Sequence, residues 1–265
     1  MFISKSNAIL GRTPNVTTGA SSDLPSNMTT PDFSVNYTSS GERLVMSFGA
    51  VFDLDYVAVC ASNLGVGGQI TARNGTSSAG YNSIRGQYIT ERDHVCMFNF
   101  ERETFSNLII VVDSNDIARR PIVSFVAAGK SIQVPNGGEN AGYDRNWQTR
   151  SAESRVVSNS LSAPVANLKK STALSGNLTL PNMRTDFMRT EWQEFIDFAS
   201  SEPFFICEQE NIVPNTSRYE DYRDTGGLPE SSYICYQPRF QAPKAHSATR
   251  ALQNLSIRFN CYNGL

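Results

Sequence analysis

The chain has little of what most enzymes are built around. It holds only two histidines in 265 residues, His94 and His246, and neither has a partner at catalytic or metal-ligand spacing. No Gly-x-Ser-x-Gly elbow, Walker A loop, dinucleotide fingerprint or His-Glu-x-x-His pattern occurs. Charged residues make up 18%, below the usual quarter, and the net charge is −2 with no long basic run. Counterion release, which drives nucleic-acid binding, therefore has little to act on, and nucleic acid is not expected as a partner. Nowhere do eighteen apolar residues run together, which excludes a helical membrane span, and the first residues lack the apolar core of a signal peptide. The expectation is synthesis in the cytoplasm with no membrane insertion. The five cysteines (Cys60, Cys96, Cys207, Cys235 and Cys261) form no C-x-x-C pair and lie mostly in apolar runs, so they read as buried, reduced thiols.

What is present is strand-like. From Glu42 to Gly129 short runs rich in Val, Ile and Phe recur between turn signals: LVMSFGAVF, LDYVAVCASNL, QITARNG, VCMFNFE, NLIIVVDS and PIVSFVAAG. In LDYVAVCASNL both alternating sets are apolar, Tyr56, Ala58 and Cys60 against Val57 and Val59, so this strand is expected to be covered on both faces. Strand-like runs return at TALSGNLTL, PFFICEQE, SSYICYQP and LQNLSIRFN. Between the first two lies one short helix, expected near 190–200. Thr190 and Gln193 have capping-box spacing, and Trp192, Phe195, Ile196 and Ala199 fall on one face as core residues. The fold class is therefore all-β: a jelly-roll β-sandwich plus a second β unit with one short helix. Its divisions are an extended N-terminal arm over 1–40, the sandwich over 41–130, a linker or long loop over 131–171, and the second unit over 172–265.

The arm is rich in Ser, Thr, Asn and Pro and too poor in apolar residues to order itself. Order there requires packing on its own domain or on neighbouring subunits. Two further stretches stand out. GYDRNW gathers Tyr143, Asp144, Arg145 and Trp147 in a glycine-rich segment, a set suited to a protein interface, to internal packing or to a glycan, whose C–H faces stack on rings while its hydroxyls take polar partners. TSRYEDYRDTGGLPESSY carries Arg218, Tyr219, Asp221, Tyr222 and Arg223 and reads as a contact loop or a solvated insertion. Tyr143, Asp144, Arg145, Trp147, Tyr219, Tyr222 and Arg223 are the interface or glycan candidates. Asp93, His94 and Cys96 do not make a metal site, because strand alternation separates Cys96 from its neighbours and no second ligand pair exists. Asp53 with Asp55, and Glu220, Asp221 and Asp224, read as solvated loop acids; no catalytic, cofactor or metal residue is expected.

The order of a Ser/Thr/Asn-rich N-terminus, LDYVAVCASNL with its terminal Ala61, Ser62, Asn63 and Leu64, then QITARNG and NLIIVVDS, resembles the galactose-binding, discoidin-like jelly roll, particularly the versions in bacteriophage tail-tip and baseplate proteins. The resemblance covers roughly residues 7–130. Tyr143, Asp144 and Arg145, and Pro203, Phe204 and Phe205 after the helix, fit the order of features in the phage examples. It implies a non-enzymatic virion structural protein of a tail tip or baseplate, made in the host cytoplasm, with other tail subunits and a homo-oligomeric ring as partners and a host-surface glycan as a further one. A glycan-binding module for host attachment is the first alternative, and a polysaccharide hydrolase the weakest.

Overall fold

The computed structural model describes residues 1–32, 35–64, 67–75, 83–90, 94–114, 116–134, 154–156, 167–169, 174–207, 232–242, 244–245 and 252–262. The all-β class holds, with every described pairing antiparallel. Three sheets stack in layers. The outer sheet has the order β2 (Asn15–Thr18), β4 (Arg43–Phe48), β9 (Leu108–Asp113), β6 (Gly68–Asn74), β7 (Ser83–Thr90). The middle sheet runs β3 (Tyr37–Thr38), β10 (Ile122–Gly129), β5 (Phe52–Ser62), β8 (His94–Phe105). The third runs β11 (Ser131–Gln133), β1 (Phe2–Ser4), β15 (Phe204–Cys207), β16 (Ser232–Phe240), β18 (Leu252–Tyr262), β14 (Leu174–Arg184), with β17 (Lys244–Ala245) also on β18. A separate ladder joins β12 (Ser154–Val156) to β13 (Asn167–Lys169).

The middle sheet is buried on both sides, as the doubly apolar LDYVAVCASNL run requires. Val57, Val59, Ala61, Val126 and Ala128 face Leu44, Met46, Ile70, Ile110 and Val112 of the outer sheet. Tyr56, Ala58, Cys60, Met97 and Phe125 face Phe2, Phe205, Cys207 and Ile234 of the third sheet. Phe125 and Phe205 stack across that interface with ring centroids 6.0 Å apart. All five cysteines are buried and none forms a disulfide.

The other side of the third sheet is closed by the helix, which differs from expectation at its start. It runs over 185–199 and widens by one residue per turn across Met188–Trp192. Thr190 is inside it, its hydroxyl donating to the Asp186 carbonyl at 3.0 Å, and does not cap it. The apolar face is the expected one: Trp192, Phe195 and Ala199 are buried among Leu180, Phe204, Ile257 and Phe259, with Ile196 at the rim. Phe195 lies edge-on to Phe204 and Phe240, with centroids 5.1 and 5.8 Å away.

The polar N-terminal segment is held by its own molecule. Phe2–Ser4 form an interior strand, pairing Phe2 with both Gln133 and Cys207, and Met1 to Ser4 are all buried. Ile9, Met28 and Tyr37 then insert into the sandwich core. The abundant Ser, Thr and Asn satisfy an irregular backbone: the Thr29 hydroxyl donates to the Arg12 carbonyl at 2.7 Å, the Tyr37 hydroxyl accepts from Ser21 N–H at 2.9 Å, and Asp23 accepts from Thr38 N–H at 2.8 Å. The third sheet thus draws strands from residues 1–4, from 131–133 inside the expected linker, and from beyond 174.

Candidate binding face

The candidates Tyr143, Asp144, Arg145, Trp147, Tyr219, Tyr222 and Arg223 lie outside the described residues. Their anchors are described. Val134 N–H donates to the Met1 carbonyl at 3.0 Å, and Cys207 pairs both with Phe2 and with Ser232. The strand end that precedes the first stretch and the two that bracket the second, far apart in sequence, therefore share one end of the third sheet.

The carboxylates Asp53 and Asp55 are strand residues rather than solvated loop acids. Asp55 is nearly buried, accepting Ser131 N–H at 2.6 Å on Oδ1 and the Arg102 guanidinium at 3.0 Å on Oδ2. Asp53 pairs with Lys130 at 2.9 Å. Nearby, Lys5 Nζ sits 2.6 Å from Glu191 and 2.7 Å from Glu194, tying the helix to the N-terminal segment. Burial of the Lys5 amine works against its charge, but the hydrogen bonds to Glu191 and Glu194 outweigh it and raise its pKa. Lys5 in turn lowers that of Glu194. Each of these carboxylates is paired with a cation, which suits a structural joint between layers.

The third sheet offers a different surface. Its contact with the middle sheet comes from β1, β15 and β16, and no described residue of β14 or β18 enters that core. The β16–β18–β14 wing consequently buries one side under the helix, through Leu178, Leu180, Leu255, Ile257 and Phe259, and leaves the other open. On the open side Asn177, Gln237, Arg239 and Arg258 are exposed, and Thr179, Tyr236, Ser256 and Asn260 are half-buried. Neighbours brace one another: Ser256 Oγ donates to Asn177 Oδ1 at 3.3 Å and lies 3.5 Å from the Thr179 hydroxyl, while Asn260 Nδ2 donates to Gln237 Oε1 at 2.9 Å. Partial burial raises the pKa of Tyr236, assisted by Cys261 and Cys235, so its phenol stays protonated and able to donate.

A bulge shapes this face. Tyr236 is opposite Asn260, yet three residues further on Arg239 is opposite Arg258, only two residues along β18. The extra residue is accommodated at Gln237, whose φ of 52° is left-handed, a conformation that costs a non-glycine residue roughly 1 kcal/mol. The shift sends Phe240 into the aromatic cluster under the helix and turns Arg239 to the open side. Sequence reasoning missed this set. Its available signal was Pro238 inside a strand-like run, because proline within a sheet is confined to edges and bulges.

No family model matches the chain, and no curated protein matches it. Among solved structures, chitosan-binding module 1 of a chitosanase/glucanase from Paenibacillus sp. IK-5 is 10% identical with a TM-score of 0.39, covering 47% of this chain and 99% of that one. CBM32-1 from a family 31 glycoside hydrolase of Clostridium perfringens is 12% identical with a TM-score of 0.37, covering 47% and 99%. A Ruminococcus gnavus GH29 fucosidase in complex with fucose is 17% identical with a TM-score of 0.38, covering 49% of this chain and 27% of the fucosidase. With TM-scores below 0.5 these are partial likenesses and have no bearing on what this chain binds.

Proposed function

We propose that the protein is a non-catalytic saccharide-recognition module and that the open side of the β16–β18–β14 wing is its binding face. The observation that supports this reading is the composition of that face. It presents amides, hydroxyls, guanidinium groups and one phenol on a bulged antiparallel sheet, with no large aliphatic side chain exposed among the described residues of that face. Strands about 4.8 Å apart hold these groups in rows at the scale of a sugar ring. Side chains already hydrogen-bonded to one another lose little freedom when a ligand arrives, which favours binding by polar contacts alone. A protein interface of comparable size would need aromatic or aliphatic anchors at its centre.

The tail-assembly reading drew on the resemblance and on a polar N-terminus whose order called for packing on its own domain or on neighbouring subunits. That order now has an intramolecular cause, so recognition is preferred over assembly. A glycan array probed with the full chain tests the proposal. Binding to at least one saccharide class is expected, reduced about tenfold or more in Asn177→Ala/Asn260→Ala. Absence of binding at high protein concentration removes the reading.

A further inference from the structure

Arg239 and Arg258 occupy directly opposite positions on β16 and β18, both exposed. Like charges opposite one another in an antiparallel pair destabilise the sheet. Proteins normally relieve such a pair with a neighbouring carboxylate, and here neither guanidinium has a counter-ion among the described residues. The wing supplies none: β14, β16, β17 and β18 contain no Asp or Glu, although the chain has 25 acidic residues against 23 basic ones. Arg184, the other arginine of these strands, is paired at 2.9 Å with Asp186 just beyond β14. A net-acidic protein thus carries one acid-free sheet face on which a backbone bulge brings together two arginines that have no counter-ion among the described residues.

We infer that this face takes a carboxylate-bearing saccharide, with the sugar's carboxylate bridging Arg239 and Arg258 and its hydroxyls meeting Asn177, Ser256, Asn260 and Gln237. The inference rests on the saccharide reading above and narrows it to acidic glycans. Guanidinium groups supply planar, charge-assisted donors suited to a carboxylate, and an incoming anion relieves the repulsion that the free protein bears. Nucleic acid fits less well, since two arginines neutralise few phosphates. An acidic protein surface fits less well too, because the face lacks an apolar centre.

Affinity electrophoresis of the full chain through gels containing polygalacturonate, alginate or hyaluronate tests the inference. Methyl-esterified polygalacturonate serves as the neutral twin, and polyglutamate and a DNA duplex as other polyanions. Retardation by at least one acidic polysaccharide is expected, with none by the methyl ester. Arg239→Gln/Arg258→Gln should weaken it about tenfold or more, as loss of charge-assisted hydrogen bonds does, while Arg119→Gln/Arg120→Gln, which removes the same charge from a sandwich loop, leaves it unchanged. The melting temperature of the first pair should be unchanged or higher, which excludes misfolding as the cause. Equal weakening by both pairs, equal retardation by the methyl ester, by polyglutamate or by DNA, or no retardation by any acidic polysaccharide would each overturn the inference. If neutral glycans on the array still bind the Arg239→Gln/Arg258→Gln protein as they bind the parent, the recognition reading stands and the acidic specificity alone fails.

Discussion

Gly129 and Ser6 meet backbone to backbone: a Cβ added at Gly129 would lie within van der Waals overlap of the Ser6 carbonyl oxygen. That carbonyl is fixed from the other side by the Tyr56 hydroxyl, which donates to it at 2.6 Å. The N-terminal segment crosses the end of β10 at this point and can do so only over a glycine. Gly129→Ala is expected to destabilise the protein by about 3 kcal/mol, at the upper end for overpacking because the obstructing atom is backbone. Urea unfolding of the variant against the parent measures it, and a change below about 0.5 kcal/mol would show that the crossing yields.

The first four residues should be indispensable to the isolated chain. Removing Met1 to Ser4 takes an interior strand out of the third sheet, unpairs β11 from β15, and exposes Phe205 and Ile206. Loss of the cooperative thermal transition is expected without any partner present. In the intact chain the amides of Ile3 and Ser4 should exchange with solvent as slowly as those of β15. A truncated protein that melts like the parent would return the segment to a role in assembly.

Lys5 and its two glutamates should respond unequally to neutralisation. The Lys5 side chain is 8% exposed, whereas those of Glu191 and Glu194 are 40% and 64% exposed. Lys5→Met leaves two carboxylates that water can solvate and is expected to cost about 1 kcal/mol. Glu191→Gln/Glu194→Gln leaves a buried ammonium without a counter-ion and should cost more, about 2 to 3 kcal/mol. The lowered pKa of Glu194 fixes the acid-side behaviour. Its contribution is present above the ordinary carboxylate range and is lost as pH falls through the folded value. Lys5, raised, keeps its contribution below the ordinary lysine range and loses it only as pH rises through the folded value. Stability of the parent should therefore fall below about pH 4.5, and that of the double Gln variant should fall less.

The thiols offer a check on packing. Burial pushes Cys60, Cys96 and Cys235 far above the usual thiol range and Cys261 to about 12. All five cysteines should resist a disulfide reagent at pH 8 and become reactive together on unfolding. Fast labelling of one thiol in the native protein would show local opening. Because burial disfavours the thiolates in the folded state, stability should fall as pH rises above about 9, where the thiols of the unfolded chain ionise.

Much of the layering is written locally. Tyr56 to Ala61 are apolar at both parities, which a strand meets only when covered on both faces, and the structure places them in the middle sheet. Trp192, Phe195 and Ala199 repeat at helical spacing, and that stripe is the one buried. The helix begins before the capping-box spacing of Thr190 and Gln193, which is a short-range rule, because docking of Phe187 and Met188 on the third sheet draws it back to Thr185.

What the sequence determined by itself is the β class, the doubly buried strand, the helical stripe and the absence of acids from four strands. These are properties of neighbouring residues, fixed by alternation, periodicity and composition. Tertiary structure decided the rest. A three-residue strand such as Phe2–Ser4 has too short a pattern to announce itself, and its position depends on β11 and β15, whose residues lie more than a hundred positions away. Likewise no local rule places Arg239 opposite Arg258. That register follows from the bulge at Gln237, which also places Phe240 in an aromatic cluster assembled from the helix and the third sheet.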